Sequence, residues 1–153
     1  MAKSRSDKNY SPNDSLYTPP EIFEALNVTF DMDVCAPSGG LPWIPARRFI
    51  DELEDGLSVT WSGTVWMNPP YSNPTPWINK WLQHKNGFAL VPMGRAYWFE
   101  NLWDSEAVGW LYQNIMFVRP NGTRMGVYMP IGLWAIGETN VTALKMSGLG
   151  RIR

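Results

Sequence analysis

The chain has few soft ligands: Cys35 is its one cysteine and His84 its one histidine. That excludes a disulfide framework and leaves too few thiolates and imidazoles for a zinc site, so no metal is expected. Charge is also sparse, at 18% of residues with a net −1, far from the strong basic excess of many DNA binders. No apolar run approaches the ~20 residues that a membrane span requires. The stretch from Met1 to Ser15 is polar and lacks the apolar segment of a secretory signal. A cytoplasmic protein without a membrane partner is expected. Neither an internal repeat nor a low-complexity segment is found beyond the N-terminal polar tail.

What is present suits one globular domain: 153 residues, 44% of them hydrophobic, can bury a sizeable core but leave little room for a second domain. Residues 1–14 are expected as a flexible tail and residues 15–153 as the domain. The charge is unevenly spread. Residues 1–55 carry 5 Lys/Arg against 10 Asp/Glu, and residues 56–153 carry 8 against 4. The basic C-terminal part, with Arg119, Arg124, Lys145, Arg151 and Arg153, can meet phosphates or serve as an ordinary solvated surface.

Thr18-Pro19-Pro20-Glu21 combines an N-cap threonine, a proline at the first helical position and a glutamate three residues after the cap. A short helix to about Leu26 is predicted, closed by Asn27. Val28, Phe30, Met32 and Val34 alternate with polar residues, which predicts a strand ending in the small-residue turn Cys35-Ala36-Pro37-Ser38-Gly39-Gly40. Residues 41–63 read as irregular and contain the acidic run Asp51 to Asp55. Helices are predicted from Pro76 to about Lys85 and from about Ala96 to Ser105, with a buried parallel-type strand over Gly87 to Pro92 between them. Ile115 to Val118, Arg124 to Met129 and Leu133 to Ile136 look like closing strands of the sheet. Of the nine tryptophans, Trp77, Trp81, Trp98 and Trp103 fall on apolar helix faces and are assigned to the core, while the role of Trp43 stays open.

The most informative stretch is Asn68-Pro69-Pro70-Tyr71, placed between the β-branched and aromatic run Thr64 to Met67 and the helix start at Thr75-Pro76. It lies at a strand's carboxyl end, where open α/β sheets bind ligands. The Asn68 side-chain oxygen and the Pro69 carbonyl can accept hydrogen bonds from one NH2 group, and the Tyr71 ring can stack on a heterocycle. Two prolines stiffen the backbone and donate nothing. A plain Pro-rich turn with a packing tyrosine is the structural alternative.

Taken in order, Tyr17-Thr18-Pro19, Phe30 to Ala36, Asp55-Gly56-Leu57 with Trp61, and Trp66 to Ser72 resemble the small phage-type DNA N-6-adenine methyltransferases, relatives of the Dam enzymes. The resemblance covers residues 15–100 and thins beyond them. It implies an α/β fold: a compact, Rossmann-like methyltransferase with a mostly parallel sheet, an antiparallel C-terminal end and no separate target-recognition domain. It also implies S-adenosylmethionine as cofactor, double-stranded DNA with a flipped adenine as partner, and a phage or prophage origin. Asn68, Pro69, Pro70 and Tyr71 would be catalytic. Thr18, Pro19, Asp33, Cys35, Ala36 and Asp55 would line the cofactor site, and Arg119 and Arg124 would meet the nucleic acid. A cytosine-C5 mechanism is disfavoured, because its cysteine nucleophile would have to sit beside the amino-group motif and Cys35 does not. Three classes stay open: an adenine-specific DNA enzyme, a methyltransferase for cytosine N4, RNA or protein glutamine, and a binding protein without turnover. About 35 residues between Asp33 and Asn68 are too few for two complete strand-helix units, so the sheet there is expected to be short or irregular.

Overall fold

The computed structural model describes residues 16–94, 96–112, 115–127 and 129–150. The N-terminal tail, Arg151 and Arg153 lie outside the described residues. Helix α1 spans Pro20–Leu26, burying Ile22, Phe23 and Leu26, and ends at Asn27, whose left-handed φ of 52° lets its N–H reach the Phe23 carbonyl. The N-cap is Pro19, with extended backbone and no side-chain cap. The expectation that Thr18 caps this helix is thus corrected. Pro20 keeps the residue before it out of the helical region, so the boundary falls at Pro19 and the Thr18 hydroxyl is released for another partner.

Strands β1 (Phe30–Asp33), β2 (Ala46–Phe49), β3 (Val65–Met67), β4 (Gly87–Pro92), β5 (Val108–Tyr112) and β8 (Ile131–Ile136) form one sheet in the order β2-β1-β3-β4-β8-β5. The pairs β1–β2, β1–β3 and β3–β4 are parallel, and β8 runs antiparallel to both β4 and β5. The fold is mixed α/β with a mainly parallel central sheet. β2 lies within the stretch read as irregular. β6 (Met116–Val118) and β7 (Arg124–Gly126) pair only with each other, as a two-stranded hairpin. They do not extend the sheet, and Val118 bonds instead to Tyr17. Among the described residues no helix is long and apolar enough to cross a membrane.

Period-two alternation sends strand side chains to two separate apolar layers. Phe30, Trp66, Phe88, Leu90 and Leu133 pack with Ile22 and Phe23 of α1 and with Leu144 of α4 (Glu138–Met146). Met32, Val65, Met67, Ala89 and Trp134 pack on the opposite face with Trp77, Ile78 and Trp81 of α2 (Thr75–His84) and Trp98 and Leu102 of α3 (Tyr97–Trp103). Trp77, Trp81 and Trp98 are core as expected. Trp103 is 42% exposed, because its ring leans on Phe99 and Trp134 from the outside of α3.

The order places the site. From β1 the chain moves to β2 on one side and then to β3 on the other. The connections diverge there, so the carboxyl ends of β1 and β3 flank a topological switch point, where open sheets take ligands. Asp33 ends β1, and Asn68 follows directly on β3.

Candidate active site

Asn68 is 1% exposed, and its Nδ2 donates to Thr18 Oγ1 at 2.9 Å. Its Oδ1 is fully buried and accepts no hydrogen bond among the described residues. A buried acceptor left unpaired costs about 1–3 kcal/mol, so such groups are rare unless a ligand or water completes them. The backbone cannot shield it, since Pro69 and Pro70, both buried, have no N–H to offer. Thr18, itself 1% exposed, reaches the motif because its main chain is tied down: the Trp43 indole donates to the Thr18 carbonyl at 2.8 Å, and Tyr17 exchanges two 2.8 Å backbone bonds with Val118. Trp43 is thus a half-buried support of the site, and nothing in its Pro-rich surroundings announced that role.

Asp33, 2% exposed, faces the same switch point from β1. Burial pushes its carboxyl from an ordinary 3.8 up to about 6, and the Cys35 amide, 3.3 Å from Oδ1, offsets only part of that. A carboxylate so placed suits a cationic or hydroxyl-bearing ligand group. Cys35 and Ala36 are buried. The Ala36 N–H bonds to the Ile50 carbonyl, so this turn continues the β1–β2 ladder before the chain leaves it. Pro19, also buried, lies beside Thr18.

Asp55 is exposed and sits at φ 60°. Its carboxylate accepts from the Leu57 N–H and the Ser58 hydroxyl, which makes it the organiser of its own turn. The next residue explains the Asp-Gly spacing. A Cβ on Gly56 would collide with the Val34 carbonyl and come within 2.8 Å of the Trp77 ring, so only glycine lets this loop close over the end of β1. Lys80 of α2 then fastens the loop by donating to the carbonyls of Gly56, Leu57 and Val59. Trp61 adds a 2.7 Å indole bond to Gly56. Burial lowers the Lys80 pKa, opposed by the charge of Asp55. Sequence reading missed Lys80, which looks there like any exposed helix lysine.

The half-buried Tyr71 ring meets Phe117 edge-to-face at 6.4 Å, and its hydroxyl donates to the Leu90 carbonyl at 3.4 Å. Burial pushes its phenol well above 10. The β6–β7 hairpin therefore packs against the motif. Of the two hairpin arginines, Arg124 is spoken for: its guanidinium grips Glu21 of α1 at 2.8 and 3.1 Å, which holds the Glu21 carboxyl below its usual range. Arg119, close to the exposed turn, turns its Nε to the Met125 sulfur and makes no ion pair among the described residues. A cavity of about 440 Å³ lies along α2, lined by Trp61, Lys80, Gln83 and His84 among others, and none of the candidate residues lines it.

Fold and site together define an α/β protein with a topological switch point, bearing a buried carboxylate at the end of one flanking strand and, just beyond the other, an amide acceptor unpaired among the described residues. The chain belongs to the DNA N-6-adenine-methyltransferase (Dam) family, whose model matches residues 5–125. It is also similar to a DNA N-6-adenine-methyltransferase of Haemophilus phage HP1, 36% identical over 83 residues, a stretch that makes up 51% of this chain and 45% of the relative.

Proposed function

We propose that this chain methylates the N6 amino group of adenine in DNA, with S-adenosylmethionine as donor, as a Rossmann-like enzyme in which residues 15–153 form one domain without a separate recognition domain. The observation that carries this reading is the buried, partnerless Oδ1 of Asn68 beside the switch point: it is an acceptor waiting for an N–H, and the adenine amino group brings two. The family assignment favours adenine over cytosine N4, RNA or a glutamine amide, which the same four residues could also receive.

The donor, when bound, supplies a methyl group on a positively charged sulfonium. Asp33 would hold its ammonium or ribose hydroxyls, with Pro19, Cys35, Ala36 and Asp55 as the other proposed cofactor residues, while Thr18 is assigned to Asn68. Asn68 Oδ1 accepts one N–H of the target amino group and the Pro69 carbonyl accepts the other. Holding both hydrogens out of the ring plane frees the nitrogen lone pair from the ring. The methylated amino group sheds its extra proton to water, since the amide is too weak a base to keep it, so the part of the amide is to orient and polarise. Because that hydrogen bond strengthens as the nitrogen rehybridises, it acts mainly on the chemical step. The target must leave the duplex stack, which costs a few kcal/mol, and the Tyr71 ring offsets part of this. Arg119 and Arg124 are the proposed phosphate contacts, and the bacterial cytoplasm is the proposed location.

The test is mass spectrometry of nucleosides from DNA incubated with the protein and methyl-labelled S-adenosylmethionine. Label in N6-methyl-2′-deoxyadenosine is expected. Label confined to cytosine, or no transfer to the DNA at all, would overturn the assignment.

A further inference from the structure

We infer that Thr18 is a positioning residue that holds the Asn68 amide in place, so that its Oδ1 stays open to the target amino group. The inference rests on the function proposed above. An asparagine amide presents an acceptor at one end and a donor at the other, in nearly the same shape. Turned the wrong way, Nδ2 would face the target NH2, donor against donor, and the site could not receive it.

Three contacts hold the amide in the working orientation. The Thr18 hydroxyl accepts the Nδ2 proton at 2.9 Å. The Thr18 carbonyl is pinned by the Trp43 indole at 2.8 Å. The preceding residue, Tyr17, is locked to Val118 by a reciprocal pair of backbone bonds. The hydroxyl is therefore a fixed reference 50 residues away in sequence, and its release from helix capping by Pro19 is what makes it available. The arrangement leaves Oδ1 orphaned. The opposite rotamer would let the Thr18 hydroxyl donate to Oδ1 but would bury the Nδ2 donor without a partner, so either orientation leaves one end of the amide open. The observed orientation reserves Oδ1 for an incoming donor.

Thr18→Val keeps the shape and removes the acceptor. The expected result is a fall on the order of 10–100-fold in the single-turnover rate at saturating cofactor and duplex, with cofactor affinity and duplex KM unchanged. Thr18→Ser should restore most of the rate, and Thr18→Val should add little to Asn68→Ala. A second readout does not need turnover. In 15N-labelled protein, the Asn68 side-chain NH2 should exchange slowly with solvent in the wild type and in Thr18→Ser, and markedly faster in Thr18→Val. Should Thr18→Val not fold, Thr18→Ala is read in the same way. A wild-type rate in the valine variant, or a loss of cofactor affinity with an unchanged saturated rate, would overturn the inference and return Thr18 to the cofactor pocket. If the wild type transfers no methyl to adenine, the proposed function fails, and the amide exchange alone decides the role of Thr18: unchanged exchange refutes it.

Discussion

Asn68 and Asn140 are both asparagines buried to within a few per cent, at opposite ends of one sheet. Asn140 follows β8 at the amino-terminal edge of the parallel strands, and its Nδ2 is fully used, donating to Asn86 Oδ1 at 2.8 Å and the Ile136 carbonyl at 2.9 Å. Asn68, at the carboxyl edge, gives one bond to Thr18 and leaves its oxygen empty. Two like side chains at like burial thus do different work. A completed network fixes a structure, and the incomplete one at the switch point is the proposed place for a ligand. Asp33 belongs with Asn68 in this contrast, a buried carboxylate whose one hydrogen bond among the described residues is a long one from the Cys35 amide.

The contrast is tested most sharply by truncating both asparagines. Asn68→Ala should lower methyl transfer by about 10²–10³-fold, the usual loss when one oriented partner of a reacting group is removed, while cofactor affinity and fold persist. Single-turnover rates on adenine-containing duplexes check this, and a wild-type rate would end the catalytic assignment. Asp33 comes next. Between pH 4 and 6 the unfolded chain has released this proton and the folded chain, with its pKa raised to about 6, retains it. The stability of the ligand-free protein should therefore fall as pH rises through that window, by about 3 kcal/mol in total. Denaturant titrations of Asp33→Asn should lack the slope, and a slope that survives would place the titration elsewhere. Asn140→Ala should behave in the opposite way to Asn68→Ala, costing about 1–3 kcal/mol of stability through unpaired neighbours with little change in transfer per folded molecule. The smallest effect is expected at the hairpin. Arg119→Ala should flatten the salt dependence of DNA binding by about 0.9 in log–log slope, one phosphate's share. Arg124→Ala should do less, because Glu21 already holds that guanidinium. Equal slopes in wild type and Arg119→Ala would move the footprint off the hairpin.

Local signals carried much of the fold into view. Pro20 with Asn27, and Pro76 with the Trp77, Ile78 and Trp81 face, mark α1 and α2 by caps and period; the six-residue buried run of β4 reads as a strand on composition. Non-local pairing hid the rest. β2 carries Arg47 and Arg48 side by side, both exposed on an edge strand, so no alternation shows. β5 contains Gly109, where a side chain would collide with the Trp134 ring; a glycine inside a short run looks like a break until its neighbour is known. In α4, Asn140 is a buried asparagine among two threonines, a poor helix signature rescued by packing. The places of Asn68 and Asp33 at the ends of β3 and β1 were legible because residue type and position within a strand pattern suffice. Thr18 was legible as a cap and, through the resemblance, as a cofactor residue, but not as a partner of Asn68. Its bond to Asn68 spans 50 residues, and no local rule contains it.

The place of β8 has a consequence for how the chain is made. β4 and β5 emerge from the ribosome first and each pairs with β8, yet β8 is synthesised after both and settles between them. Until residue 136 is available, β4 has one open flank and β5 has no partner in the sheet. A nascent chain, or a recombinant fragment cut at residue 125 where the family match stops, exposes those apolar edges to other chains. Such a fragment would retain Asn68 and Asp33 and still be expected to aggregate, so the last strand made protects a site to which it contributes no catalytic group.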